Sequence, residues 1–239
     1  MSRPPRLSIV TGTRNRPLAF RRLVDSIEKH TPMIWELVVS DAGDIPIEDQ
    51  EVATDDTWPK IVVLPERPRL GCTRGYNRAF RAARGKWVIW LNDDVEVQAG
   101  WAEVAIAFME RHSAIGLGAI YYDEPPVQPL MINHAWGMPY ANFGILRREL
   151  GNRVGWFDED FEMYGNDNSL TFRILLAGFG VAPIPGTAVR HHSEKDAERL
   201  INENHSAHLL ATTILEKKYL DRLPEMRETY ERTRVEAGL

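Results

Sequence analysis

Short apolar runs and helical stretches alternate along the first part of the chain. Four runs of strand length are predominantly apolar: residues 7–13, 35–40, 61–64 and 87–91. Between them, residues 18–30 place apolar side chains at helical spacing, and residues 72–84 are rich in Arg and Ala and end at Gly85. Strands and helices that alternate through short connections form right-handed βαβ units. The pattern therefore predicts an α/β fold with a Rossmann-like, mostly parallel central sheet flanked by helices.

The run at residues 87–91 is apolar without alternation and ends abruptly in Asn92, Asp93 and Asp94. Such a run is typical of a central parallel strand, and open α/β sheets bind ligands just beyond the carboxyl ends of these strands. Two adjacent carboxylates repel each other unless a cation or a donor-rich ligand lies between them. Hard oxygen ligands suit Mg²⁺ or Mn²⁺, which usually arrive with phosphates. The run predicts a metal–diphosphate site, with a capped turn as the alternative.

Later patterns predict further helices at residues 101–112 and 168–177, and strands at residues 115–122, 144–147, 181–184 and 187–190. We expect irregular loops at residues 45–59, which are acidic, and at residues 123–131, which contain three prolines. Residues 194–239 are charged and mostly helical in pattern. Their apolar face is predicted to pack on the catalytic domain or on a second subunit, and it consists of Ala207, Leu209, Leu210, Ile214 and Leu215. The expected organisation is one α/β domain over residues 1–193 and a helical C-terminal extension over residues 194–239.

Composition narrows the function classes. The 239 residues suffice for one full α/β core, and the net charge of -5 gives no general attraction to nucleic acid or anionic lipid. The single cysteine, Cys72, excludes an internal disulfide and fits a reducing compartment. No apolar run approaches the roughly 20 residues of a membrane helix. We expect a cytoplasmic protein that binds no nucleic acid, with peripheral membrane association and homo-oligomerisation left open.

Five segments in this order resemble the family 2 glycosyltransferases, which have the GT-A fold. They are the first strand with its Thr-rich exit, residues 39–44, residues 71–77, residues 91–94, and residues 155–159 leading to residues 164–167. The resemblance covers about residues 7–193. It implies a metal-dependent enzyme that transfers a sugar from a nucleotide diphosphate sugar to an acceptor hydroxyl with inversion at the anomeric carbon.

The resemblance also implies a metal site. Asp93 and Asp94 match the family's DxD-type motif, with Asn92 at its first position. Asp94 is then the main carboxylate ligand, and Asp93 lies near the ribose or the metal. His191 or His192 matches a late histidine that approaches the metal from the other half of the site, and we prefer His191. Imidazole is an acceptable Mn²⁺ ligand. A packing histidine is the alternative.

On the nucleotide side, Asp41 matches an acidic residue that reads the base, and it can accept the imide hydrogen of uracil or thymine. A UDP- or dTDP-sugar is therefore the expected donor, with an Asx turn as the alternative role of Asp41. Thr11 and Thr13 are expected to contact the nucleotide through hydroxyl or backbone groups. Arg74 lies near a phosphate-facing arginine of the family, although a solvated arginine at a helix start is equally consistent with the sequence.

Asp167 matches the acidic residue that acts as the catalytic base, with a helix N-cap as its alternative role. The family's acidic neighbours are replaced here by Asn166 and Ser169, which leaves the acceptor class open: a glycan, a lipid-linked or another hydroxyl acceptor. An aromatic segment is expected to line the acceptor side because an aromatic face suits a sugar ring, although these residues could be ordinary core aromatics: His134, Trp136 and Tyr140.

Two other functions remain open at this point. A nucleotidyltransferase also combines a doubly wound sheet with acidic metal ligands. A relative that binds nucleotide sugar without turnover is the non-enzyme alternative, made plausible by the substitutions at Asn92, Asn166 and Ser169. Release of free nucleoside diphosphate, of pyrophosphate or of nothing separates the three functions.

Overall fold

Nine strands form one curled sheet in the computed structural model of the protein, which describes residues 5–47, 60–124, 128–193 and 205–239. Two further strands form a separate hairpin. In chain order the strands are β1 (Leu7–Thr13), β2 (Trp35–Asp41), β3 (Lys60–Pro65), β4 (Trp87–Trp90), β5 (Val95–Val97), β6 (Ile115–Glu124), β7 (Gln128–Met131), β8 (Asn133–Ala135), β9 (Met138–Tyr140), β10 (Gly144–Arg147) and β11 (Gly180–His191).

The helices cover both faces of this sheet. They are α1 (Pro17–His30), α2 (Cys72–Ala82), α3 (Trp101–Arg111), α4 (Arg148–Val154), α5 (Asn166–Leu176), α6 (His205–Tyr219) and α7 (Leu223–Ala237), with a 3₁₀ turn at Leu220–Arg222 between the last two. None of the helices in the described ranges is long and apolar enough to cross a bilayer.

The strand directions gather the chemistry of the chain at one edge. The order is β3-β2-β1-β4-β10-β6-β11-β5, with β7 paired to β6. The first four strands are parallel, as predicted. Because β10 is antiparallel to both β4 and β6, and β11 is parallel to β6, the strands β6 and β11 run in the same direction as β4. The carboxyl ends of six strands therefore meet at one edge of the sheet, where ligands of such sheets bind.

Strand β4 is central, as its uninterrupted apolar pattern predicts. Trp87 and Ile89 pack into the layer that contains α1 and α3, whereas Val88 and Trp90 pack into the layer that contains α2 and α5. All four side chains are buried. The strand thus carries Asn92, Asp93 and Asp94 to the middle of the functional edge.

Three local predictions differ from the structure. Residues 128–131 form β7 where a loop was predicted, and Pro129 is tolerated because β7 is an edge strand paired only to β6. A single strand, β11, replaces two short ones, with a register shift between Pro183 and Ala188. Helix α5 begins at Asn166 after Gly165, so Asp167 lies in the first turn and its N-cap alternative is wrong. Parts of the predicted loops, residues 48–59 and 125–127, lie outside the described residues.

The C-terminal helices pack on the α/β domain. Tyr219 and Met226 are buried in the same apolar cluster as α5, and Tyr219 Oη lies 2.6 Å from Ser169 Oγ. The predicted apolar face is only partly right, because Leu209 and Leu210 are 57% and 59% exposed and Ala211 is buried instead. Of the predicted extension, residues 194–204 lie outside the described part of the chain, so the boundary at residue 193 stays a prediction.

Truncating Met226 should therefore destabilise the whole domain. The side chain is fully buried, and Met→Ala changes at such positions cost about 2–5 kcal/mol. Val235 lies on the same helix but is 79% exposed, so we expect Val235→Ala to change the free energy of unfolding by less than about 0.5 kcal/mol. Urea denaturation of both variants checks this, and a Met226→Ala protein as stable as the wild type would show that α7 is a peripheral appendage.

Candidate active site

A cavity of about 610 Å³ opens at the edge where the six strand ends meet. Its lining comes from the loops that follow β1, β2, β3 and β4, from the ends of β6 and β11, and from the starts of α2 and α5. Helix α6 adds His208. The cavity is lined by Asn92, Asp93 and Asp94, at the strand end where the sequence predicts a ligand site.

The adjacent carboxylates of Asp93 and Asp94 are buried in this cavity and share the guanidinium of Arg16. Arg16 Nη1 lies 3.3 Å from Asp93 Oδ1 and 3.4 Å from Asp94 Oδ2, and Thr13 Oγ1 donates to Asp93 Oδ2 at 2.7 Å. Burial and the neighbouring Asp94 raise the pKa of Asp93 to about 6, against the opposing effects of Arg16 and Thr13. The pair is thus held in a state that an additional cation would stabilise.

His191 completes this cluster from the other half of the sheet. The antiparallel pairing of β11 with β5 sets His191 opposite Val95, next to Asp94. Its Nε2 lies 3.1 Å from Asp94 Oδ1 and its Nδ1 lies 2.7 Å from Glu124 Oε1. Burial lowers the pKa of His191, but its contacts with the two carboxylates outweigh burial and raise the pKa overall.

His192 lies elsewhere. Its ring contacts Glu96 instead of Asp94, and only its backbone amide reaches the cluster, by donating to the carbonyl oxygen of Asp94 at 2.8 Å. His192 follows the last residue of β11, and its ring lies on Glu96 while the ring of His191 lies on Asp94. Of the two predicted histidine ligands, the structure brings only His191 to the carboxylates.

Asp94 and His191 are the residues that could hold a divalent cation. The described residues contain no group of three or more His, Cys, Asp or Glu side chains arranged to hold a metal. Mg²⁺ and Mn²⁺ sites, however, often use one or two protein ligands plus substrate phosphates, and adjacent octahedral ligands at about 2.1 Å lie about 3 Å apart. The 3.1 Å separation of Asp94 Oδ1 and His191 Nε2 matches that spacing. Glu124 on the other ring nitrogen is the partner that metal-binding histidines commonly have.

The predicted nucleotide contacts are placed unevenly. Thr13 lines the cavity, whereas Thr11 is buried and lies outside its described lining. Asp41 accepts hydrogen bonds from the backbone amides of Gly43 at 2.9 Å and Ile47 at 3.1 Å, which is the turn-capping alternative. Arg74 is exposed and lies 3.5 Å from Glu159. Base reading by Asp41 and phosphate binding by Arg74 stay predictions without a contact in this structure.

Other lining residues were missed. Glu66 follows β3, is buried, and accepts hydrogen bonds from Ser40 Oγ at 2.6 Å and from the amide of Leu70 at 2.9 Å. The rule that located Asp41 and Asp93 at strand ends applies equally to β3 and could have found Glu66. Arginines also line this side of the cavity: Arg14, Arg16 and Arg69.

The acceptor-side predictions are also divided. Tyr140 lines the cavity. Trp136 instead stacks on Phe172, with ring centroids 5.0 Å apart, and His134 is exposed with Nδ1 3.2 Å from the carbonyl of Ile132. The contacts of Trp136 therefore support its alternative role as a packing aromatic.

Asp167 faces the same cavity from the first turn of α5. Its Oδ1 accepts a hydrogen bond from the amide of Asn168 at 2.8 Å. Burial raises the pKa of Asp167 to about 6, and the backbone hydrogen bonds only partly oppose this. A carboxylate with a pKa near 6 is ionised at neutral pH and is a better base than an unperturbed aspartate.

Comparison with known proteins agrees with this arrangement. The family model described as "Glycosyl transferase family 2" matches residues 8–167. The chain is 26% identical over 223 residues to the O-antigen biosynthesis protein RfbC of Myxococcus xanthus. The match covers 79% of this chain but only 17% of the length of RfbC.

Solved structures show the same fold. The mannosyltransferase PcManGT from Pyrobaculum calidifontis, in complex with GDP-Man and Mn²⁺, aligns with a TM-score of 0.65 at 18% identity over 95% of this chain and 74% of its own. S. aureus TarS in complex with UDP-GlcNAc aligns with a TM-score of 0.68 at 16% identity over 88% of this chain and 66% of its own. The architecture is that of the GT-A glycosyltransferases, and the chain belongs to glycosyl transferase family 2.

Proposed function

We propose that this chain transfers a sugar from a nucleotide diphosphate sugar to an acceptor hydroxyl, with inversion and with a divalent metal. The observation that carries the proposal is the presence, in one cavity, of the Asp94–His191 pair and the partly buried carboxylate of Asp167. The first suits a metal-bound diphosphate and the second suits proton removal. Relatives of this chain hold GDP-Man with Mn²⁺ or UDP-GlcNAc, which supports a nucleotide-sugar donor.

The donor's diphosphate would lie against the cluster at the end of β4. Asp94 and His191 would hold Mn²⁺ or Mg²⁺, which when bound stabilises the charge of the leaving diphosphate. Arg16 offsets part of the charge of Asp93 and Asp94 in this structure, and together with Arg14 and Arg69 it would supply cations for phosphate oxygens. Thr13 fixes the carboxylate of Asp93 beside them.

The chemistry is one displacement. The acceptor oxygen forms a bond to the anomeric carbon as the bond from that carbon to the diphosphate breaks, which inverts the configuration. The proton of the acceptor hydroxyl passes to the carboxylate of Asp167, whose raised pKa of about 6 matches this task. The diphosphate leaves with the electron pair of the broken bond.

A thermal-shift screen with Mn²⁺ and nucleotide sugars tests the donor class. A ligand present at 100 times its dissociation constant stabilises the native state by about 2.7 kcal/mol, which for this chain length raises the melting temperature by several degrees. We expect UDP- or dTDP-sugars to give the largest shift. GDP-mannose belongs in the panel as well. The carboxylate of Asp41 is hydrogen-bonded to its own loop, so it does not decide which base is bound. If no nucleotide sugar shifts the melting temperature, the proposal fails. Binding without release of nucleoside diphosphate would identify a relative that lacks turnover.

Glu124 should act through His191. Its carboxylate accepts the hydrogen of His191 Nδ1, which fixes the ring with Nε2 toward Asp94. Loss of such partners lowers metal affinity by about 10–100-fold. We therefore expect Glu124→Gln to weaken Mn²⁺ binding by that factor in an electron paramagnetic resonance titration. Glu110→Gln, at an exposed ion pair with Arg6, is the matched control. Unchanged Mn²⁺ affinity in Glu124→Gln would remove Glu124 from the site.

A further inference from the structure

The acceptor half of the cavity is distinct in chemistry from the donor half. The arginines of the lining, Arg14, Arg16 and Arg69, belong to the loops that follow β1 and β3. The part built from β8, β9, the start of α5 and α6 instead presents aromatic rings and neutral amides. This division, which rests on the proposed function, indicates which acceptor the enzyme takes.

We infer that the acceptor is a neutral saccharide, and that Tyr164 and His208 form an aromatic platform for it beside Asp167. On this account α6 completes the acceptor site and is not only a structural support.

The platform is a pair of stacked rings. The ring centroids of Tyr164 and His208 lie 3.6 Å apart with an interplanar angle of 25°, and both residues line the cavity. Tyr164 comes just before Gly165, the N-cap of α5, and therefore three positions before Asp167. A ring face that lines the same cavity as the base suits the apolar face of a sugar, as does Tyr140 elsewhere in the lining.

The amide side chains of the cavity lining are neutral. Asn133, Asn142, Asn166 and Asn168 all line the cavity. Asn133 Nδ2 donates to Asn142 Oδ1 at 2.8 Å, and Asn133 Oδ1 accepts from Tyr122 Oη at 3.0 Å, so these amides are held in place. Amides both donate and accept hydrogen bonds, which matches the hydroxyl groups of a sugar.

The charges of this half oppose an anionic acceptor. Asp167 is its acidic lining residue, and within the described ranges this half of the lining has no Lys or Arg. A carboxylate or phosphate on the acceptor would meet this like charge in a partly desolvated space, and the described lining residues of this half offer no Lys or Arg to compensate it. Neutral saccharides avoid that cost.

Polar contacts hold α6 in the position that the platform needs. Lys218 Nζ lies 2.6 Å from Asp158 Oδ2, and Ser169 Oγ contacts both Asp158 Oδ2 at 3.2 Å and Tyr219 Oη at 2.6 Å. Ser169 stands where the family resemblance implies an acidic residue, and here its hydroxyl contacts Tyr219 Oη instead. It ties the base-bearing helix to the helix that carries His208.

The test is saturation-transfer NMR with full-length protein, Mn²⁺ and the nucleoside diphosphate selected in the thermal screen. Probes are methyl glycosides of glucose, galactose, mannose, rhamnose and N-acetylglucosamine, against methyl glycosides of glucuronic and galacturonic acid and glucose 6-phosphate. At least one neutral glycoside should bind about tenfold or more tightly than every anionic probe. Equal binding of the two classes, or no binding by any neutral probe, would overturn the inference.

Variants test the platform separately. His208→Ala and Tyr164→Ala should weaken neutral glycoside binding by about tenfold, a loss typical of one aromatic contact. His208→Phe, which keeps a ring, should restore most of it, and the exposed Lys217→Ala on the same helix should have no effect. Nucleoside diphosphate affinity should stay unchanged in all four. Unchanged glycoside binding in His208→Ala would refute the role of α6, whereas absence of nucleotide binding in the wild type would instead refute the proposed function.

Discussion

Replacement of Asp167 by Asn is expected to lower the rate of sugar transfer by about 10²–10⁴-fold while donor and Mn²⁺ affinities stay close to those of the wild type. The amide has the size and shape of the carboxylate but cannot accept a proton from the acceptor hydroxyl. Asp167 contacts neither Asp94 nor His191 in the described hydrogen bonds, so binding and chemistry should separate. Stopped-flow or quenched single-turnover kinetics with calorimetric binding measures both quantities.

The pH dependence gives this prediction a sign. Burial raises the pKa of Asp167 to about 6, so the fraction of ionised base falls below that pH. At saturating donor and Mn²⁺, the wild-type transfer rate should fall below about pH 6. Asp167→Asn should remove the part of this fall that belongs to Asp167, while Asp93, whose pKa burial also raises to about 6, still titrates in the same range.

Stability should respond in the opposite direction. Because the pKa of Asp167 in the folded chain exceeds the ordinary aspartate value, the folded state binds more protons between about pH 4 and pH 6, and its stability falls as pH rises through that window. Asp167→Asn should therefore melt at a higher temperature than the wild type at pH 7.5, and this difference should shrink toward pH 4. An Asn variant with wild-type turnover would contradict the assignment. The nearby acids are poor substitutes, since Asp158 and Asp160 contact Lys218 and Glu159 contacts Arg81.

Removal of Asp94 is the second change with a large expected effect. Asp94→Ala should abolish Mn²⁺-dependent donor binding and lower transfer by about 10³-fold or more, because several kcal/mol of charge stabilisation on the leaving diphosphate would be lost. Excess chelator should stop turnover of the intact protein to the same extent. Asp25→Ala, an exposed carboxylate on α1, is the control and should behave as the wild type.

The two outcomes must agree for the metal site to stand. Calorimetry of donor binding with and without Mn²⁺ distinguishes loss of the metal from loss of the fold, and a melting curve of Asp94→Ala confirms that the variant is folded. Full activity in excess EDTA would show that Asp93 and Asp94 serve another purpose, such as holding Arg16.

The position of the site could be predicted from the sequence because one rule decides it. The carboxyl end of a buried parallel strand is visible where an apolar run stops, and this rule pointed to Asp93 and Asp94, while Thr13 came from the family resemblance. The same rule, applied to β3, would have located Glu66. The family resemblance pointed to His191 or His192, and the ring contacts separate them, since His191 meets Asp94 and His192 meets Glu96.

The direction of a side chain within a loop could not be predicted in this way. The pattern after β2 allowed Asp41 either to cap a turn or to read the base and could not decide between them, whereas in the structure the amides of Gly43 and Ile47 bind both of its oxygens. Trp136 likewise follows its own packing against Phe172. His208 was missed because it reaches the cavity only through the docking of α6, which depends on contacts distant in sequence such as Ser169 with Tyr219.

Inverting sugar transfer with Asp167 as the base can be followed directly by proton NMR of the reaction, recorded from the first minutes. The protein is incubated with Mn²⁺, an α-linked nucleotide diphosphate sugar that shifts its melting temperature, and a neutral methyl glycoside that binds. We expect the wild type to give free nucleoside diphosphate in a one-to-one ratio with a new β-anomeric signal, and Asp167→Asn to give neither over the same interval. Release of pyrophosphate, or a new α-anomeric signal formed at the wild-type rate, would contradict it.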